Sequence, residues 1–135
     1  MPAGWTEIGA LAFAGVKFAG YTAAGYQLRR SFDTDSPNPF LFGAARTALG
    51  LVVGVSFATL ILKVGIGSSD FPFYMALLPV RLGEWALIIW LFFRSSRESG
   101  VKLTLYSLLG SLWSYLLDVP AIVAAFVVPG GMWIC

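Results

Sequence analysis

LTLYSLLGSLWSYLLDVPA, residues 103–121, sets Ser107, Ser111, Ser114 and Asp118 at steps of four, three and four inside an otherwise apolar run. Those steps fall on one line of an α-helix, whereas a strand would scatter them over both faces. The polar line is narrow and the apolar surround is wide, the reverse of a helix that floats on a soluble core. Such a pattern predicts a helix whose hydroxyls and carboxylate turn toward other helices while its leucines meet hydrocarbon.

Three further stretches repeat the design. In the first, Glu7, Ala10, Ala14, Lys17, Tyr21 and Ala24 follow three- and four-residue steps. In the second, Arg46, Leu49, Val53, Ser56, Leu60 and Lys63 do the same, and the third sets Arg81 and Glu84 three residues apart. A bilayer core about 30 Å thick takes roughly 20 residues at 1.5 Å each. Four spans meet that length, at about 5–27, 41–63, 73–93 and 103–128. The segments between them are polar, broken by Pro37 and Pro39 or rich in Gly and Ser, and read as loops. Asp70 fits an N-cap of the third span, with Pro72 in its first turn. The expected fold is all-α: a polytopic membrane protein of four transmembrane helices in a compact bundle, with residues 1–135 as a single domain.

Composition agrees. The 135 residues are 58% hydrophobic and 12% charged, with mean hydropathy +0.79. A soluble domain carries about 25% charged residues, too many for this chain to match. With no His, one Cys and a net charge of +2, the chain lacks thiolate or imidazole metal sites, Cys-His and Ser-His-Asp devices, and the basic surface of a nucleic-acid binder. No cofactor, metal or nucleic acid is therefore expected.

Loop charge gives a direction. Arg29, Arg30, Arg94, Arg97 and Lys102 lie in or beside the two loops at one end, against Lys63 alone at the other. The positive-inside rule then makes loops 28–40 and 94–102 cytoplasmic and places both termini on the non-cytoplasmic side, in the plasma (inner) membrane. Trp5, Tyr74 and Trp133 are expected at the outer interface. The first span is read as retained and not as a cleaved signal peptide, because its leader has no positive residue and its apolar part contains Lys17. No internal repeat of the inverted-transporter kind is found.

Counted from the outer ends at 1.5 Å per residue, Arg81 lies roughly 12 Å deep, Asp118 roughly 15 Å, Glu84 roughly 16 Å and Lys17 roughly 18 Å. Two cations and two carboxylates thus share a layer near the midplane, and the expected pairs are Arg81 with Asp118 and Lys17 with Glu84, with exchange of partners allowed. These four are the candidate substrate- or ion-binding residues. Arg46, Ser107, Ser111 and Ser114 complete the polar stripe, with Arg46 expected to snorkel toward headgroups. Pro79 and Pro120 each remove a helical hydrogen bond and free the carbonyls of Met75 and Leu116, which are expected to open toward the charged layer. Gly50 to Gly54 forms a GxxxG, and Gly15, Ala19 and Ala23 recur every fourth residue; either surface suits close helix contact. Trp85, Trp90, Phe92 and Phe93 read as packing or lipid-facing residues, and Cys135 as an inert terminal residue.

Three function classes follow. The leading one is a small non-catalytic membrane component, a homo-oligomer or the subunit of a partner, whose charged layer is structural and whose partner is the bilayer. The alternative is a small transporter or channel using Glu84 and Asp118 with Arg81 and Lys17 as an ion or anionic-substrate site. The third is an intramembrane lipid-modifying enzyme with Glu84 or Asp118 as general base and no assigned catalytic residue beyond that.

Overall fold

The computed structural model describes residues 7–64, 70–93 and 100–127 and contains four helices, α1 (Glu7–Ser31), α2 (Pro39–Val64), α3 (Asp70–Phe92) and α4 (Gly100–Val127). Trp5, Arg94, Arg97, Trp133 and Cys135 lie outside the described residues, as do the side chains of Glu7, Ala10, Asp70 and Tyr74.

Local chemistry sets the α1–α2 corner. Asp33 adopts a left-handed φ of 47°, which ends α1, and the Thr34 amide donates to the Arg29 carbonyl at 3.2 Å. Asn38 then caps α2: its Oδ1 accepts from the Phe40 amide at 2.9 Å, with Pro39 preset at the first helical position.

Each helix runs antiparallel to its neighbours in sequence. α1 packs between α2 and α4, α3 packs against α4, and α2 and α3 meet least. Three glycines permit the tightest approaches, and one of them, Gly20, lies against the Leu117 side chain. A Cβ at Gly110 would fall 2.3 Å from the Trp85 ring, and one at Gly43 would fall 2.3 Å from Thr22 Oγ1. At the end of the bundle that carries the α1–α2 corner, Phe32 stacks on Phe93 at 4.9 Å and meets the Tyr106 ring at a tilt at 5.2 Å, and Phe42 meets Phe92 and Phe93. Lys102 Nζ lies 5.9 Å over the Phe32 ring. This aromatic plug is the end of an apolar core that continues through Ile89, Ile88 and Trp85 to Tyr21 and Leu117.

The middle of the bundle is inverted. Lys17, Arg46, Arg81, Glu84 and Asp118 are all buried, while Leu11, Leu60, Leu87, Leu112, Leu116 and Val119 lie exposed. Among the described residues, two helices are long and apolar enough to cross a membrane, over Pro39–Ile61 and Met75–Phe92.

The sequence stripes fare differently. On α4, Ser107, Ser111, Ser114 and Asp118 are all buried and Thr104 is exposed; on α1, Lys17 and Tyr21 are buried. On α2 only the Arg46 end turns inward, for Ser56, Leu60 and Lys63 are exposed. The loose α2–α3 contact explains this correction, since beyond Arg46 that face has little to pack against. Ser56 is content there because its hydroxyl donates to the Val52 carbonyl of its own helix. The prolines also depart from expectation: Pro79, Pro120, Met75 and Leu116 are all exposed, on the surface away from the charged layer.

Candidate functional site

Two tiers of charge occupy the bundle interior. In the first, Asp118 on α4 takes two cations: Lys17 of α1 pairs with Oδ1, and Arg81 of α3 places Nη2 2.8 Å from Oδ2. Lys17 Nζ also donates to the Ser114 carbonyl at 3.3 Å. The Arg81 contact lacks the alignment of a hydrogen bond, and its guanidinium carbon sits 4.3 Å from the Tyr115 ring centroid, a cation–π distance.

The second tier lies one helical turn toward the aromatic plug. Arg46 Nη2 of α2 donates to Glu84 Oε2 of α3 at 2.7 Å, both side chains buried. The Arg46 guanidinium carbon is 5.0 Å from the Tyr21 ring centroid and 5.2 Å from that of Trp85, so aromatic quadrupoles share in holding the charge.

Ser114 joins the tiers. Trp85 Nε1 donates to its Oγ at 2.8 Å, and the Tyr21 hydroxyl shares a 3.2 Å hydrogen bond with the same atom. The neighbouring serines behave otherwise: Ser107 and Ser111 donate back to the Leu103 and Ser107 carbonyls of their own helix. They let α4 approach its neighbours without presenting a free hydroxyl to them.

The fold thus brings Lys17, Arg81, Glu84 and Asp118 into one interior, pairs Arg81 with Asp118 as expected and replaces the other expected pair. Lys17 goes to Asp118 and not to Glu84, because both lie on the directly packed α1–α4 pair. Glu84 goes to Arg46, which is 1% exposed and does not snorkel. Counting Arg46, the buried layer holds three cations and two carboxylates among the described residues, so it carries a formal charge of +1 where four residues alone would sum to zero. Several of its polar atoms have no hydrogen-bond partner: Arg46 Nε and Nη1, Arg81 Nη1 and Thr22 Oγ1.

Sequence reasoning missed Trp85 and Tyr115 as parts of the layer. Trp85 follows Glu84 directly and lies four residues from Arg81, the spacing that puts it on the same face as that arginine. Among the aromatics of α3, Trp85 is buried and Trp90 is half-exposed, and Phe93, just past the end of the helix, is buried. Among the described residues no group of His, Cys, Asp and Glu is arranged to hold a metal ion. Comparison with known protein families, with curated proteins and with solved structures found no match.

Proposed function

We propose that the chain is a four-span integral membrane protein of the plasma (inner) membrane, non-catalytic, whose buried ion pairs hold its helices in register and whose outer surface associates with a second copy or another membrane subunit. The observation that carries this reading is the inverted polarity of the bundle: charge inside, aliphatic side chains outside. In water the exposed Leu and Val side chains would be a large unfavourable surface, whereas in lipid they meet a matching solvent.

α1 and α4 carry charge within their length, yet Lys17 and Asp118 neutralise each other inside the bundle. What remains toward the outside is Leu11, Gly15, Ala19 and Ala23 on α1, and Leu105, Leu109, Leu112, Leu116 and Val119 on α4. The ends of the chain segments support the same threading. The contacts of Phe32 with Phe93 and Tyr106 gather the Arg29, Arg30 and Lys102 region at one end, which the positive-inside rule makes cytoplasmic.

Association is supported by the exposed stripe of Gly15, Ala19 and Ala23, where a Cβ added to Gly15 meets nothing within 4 Å. Small residues on an outer face allow a second helix to approach closely, the main source of contact energy between helices in lipid.

The test is fractionation followed by cross-linking. The protein should stay in the membrane pellet after an alkaline carbonate wash, and an Ala19→Cys variant should cross-link to itself or to one copurifying subunit, with Ala19→Leu abolishing the association. Release by carbonate would end the membrane reading. A monodisperse single chain in native nanodiscs, with no cross-link, would end the association reading.

A further inference from the structure

We propose that the hollow at the α1–α2 corner holds the headgroup of a zwitterionic phospholipid, with its phosphate on Arg29 and Arg30 and its primary ammonium on Asp33 and Asp35, an inference that rests on the membrane reading above. The hollow is open-sided, has a volume of about 410 Å³ and is lined by Tyr26, Arg29, Arg30, Asp33, Thr34 and Asp35. Small-molecule sites run from about 300 to 1,000 Å³, so a headgroup fits. The open side is what a lipid needs, because its acyl chains stay outside.

The turn after α1 builds it. Arg29 Nε donates to the Thr34 carbonyl at 3.5 Å and the Thr34 hydroxyl donates to the Ser36 carbonyl at 3.0 Å, so the chain curls back beside the last turn of α1. That return sets two carboxylates beside two guanidinium groups without pairing them closely. Arg29 Nη2 stands 3.7 Å from Asp35 Oδ1, too long for a hydrogen bond, and the Asp35 side chain is fully exposed. Arg30 and Asp33 are exposed and make no ion pair among the described residues. Such loose surface pairing contributes little, and it leaves donors and acceptors open to a ligand that carries both charges.

Position and charge select the ligand. Tyr26 lies one turn before Arg29 and Arg30 and meets Phe40 edge-on at 6.3 Å, both rings half-exposed. Exposed tyrosines near a span end sit at headgroup depth, so the hollow opens beside the boundary between acyl chains and water. Arginine forks bind phosphate oxygens, whereas the two carboxylates accept N–H groups and repel a headgroup of net negative charge. A quaternary ammonium offers no N–H and is held by cages of aromatic rings, of which the hollow has one. A phosphodiester joined to a primary amine satisfies all four charged side chains.

Native mass spectrometry of the full chain, released from nanodiscs holding equal amounts of phosphatidylethanolamine, phosphatidylcholine and phosphatidylglycerol, tests the site. One phosphatidylethanolamine per chain should be retained, about fivefold over either competitor. Arg30→Gln should remove that preference. Asp33→Asn with Asp35→Asn should turn it toward phosphatidylglycerol, because two guanidinium groups then remain without carboxylates beside them. Asn tolerates the left-handed φ of 47° at position 33, so the turn survives, and a merely structural turn would not produce the reversal. Glycerophosphoethanolamine, the same headgroup without acyl chains, should displace the lipid only at a roughly hundredfold higher concentration. Displacement at equal concentration overturns the lipid source in favour of a soluble phosphate ester. Equal retention of the three lipids, or a preference unchanged by the paired Asp substitutions, overturns the proposal. Release of the chain by carbonate removes the membrane reading and this proposal together, whereas a chain that stays in the membrane and shows no headgroup preference removes this proposal alone.

Discussion

Asp118 and Glu84 are both buried carboxylates facing cations, but they are used in different ways. Asp118 serves Lys17 and Arg81 together and so ties α1, α3 and α4 through one side chain. Glu84 serves Arg46 alone and joins only α2 and α3, the helices that touch least. The first centre sets both carboxylate oxygens against cations and leaves one guanidinium nitrogen, Arg81 Nη1, without a hydrogen-bond partner, whereas the second engages one carboxylate oxygen and leaves two nitrogens of Arg46 without one. The difference teaches that the same residue types act as a structural knot where three helices converge and leave more of their donors unused where two helices diverge.

Asp118→Asn strikes the knot and should have the largest effect. It strands Lys17 and Arg81 together, and loss of one partner of a buried pair costs about 3–5 kcal/mol. With two cations stranded, no folded chain should elute from size-exclusion chromatography in detergent. Recovery of a well-folded Asp118→Asn protein would show that the knot is not structural.

Arg46→Met should be milder by comparison, because it strands one group only. A loss of about 3 kcal/mol in unfolding free energy is expected from the bare Glu84 carboxylate, and Arg46→Met with Glu84→Leu should restore most of it. A double variant as unstable as the sum of its parts would mean that the two residues do not act as a pair.

Ser114→Ala removes the hydroxyl between the tiers. The Trp85 indole N–H is then left unpaired, for a loss of about 1–2 kcal/mol, with a shift in tryptophan emission as the check. An unchanged spectrum and midpoint would separate the two tiers.

Thr22→Val should have the smallest effect and the opposite sign. Thr22 Oγ1 is buried against the α2 backbone with no partner, so replacing the hydroxyl by a methyl should stabilise the α1–α2 contact by up to about 1 kcal/mol in denaturant unfolding. Destabilisation would reveal a partner for that hydroxyl in solution.

Steps of three and four residues placed Ser114 and Asp118 on one line, and the fold buries that line. The same arithmetic on α2 placed Ser56 and Lys63 in line with Arg46, yet both are exposed, because a stripe is buried only as far as a neighbouring helix follows it. Arg46 was misread for a related reason. Its distance from the helix end allowed snorkelling, and nothing in the spacing revealed that Glu84 would be 2.7 Å away.

By itself, then, the sequence determined four helices, their approximate limits and which side chains share a face, since these depend on residue-to-residue geometry within one helix. Tertiary structure alone decided that Lys17 meets Asp118, that Glu84 meets Arg46, and that an aromatic plug closes one end. Those outcomes depend on how far apart the helices lie and how each is rotated about its axis, two quantities that no periodicity within a single helix contains.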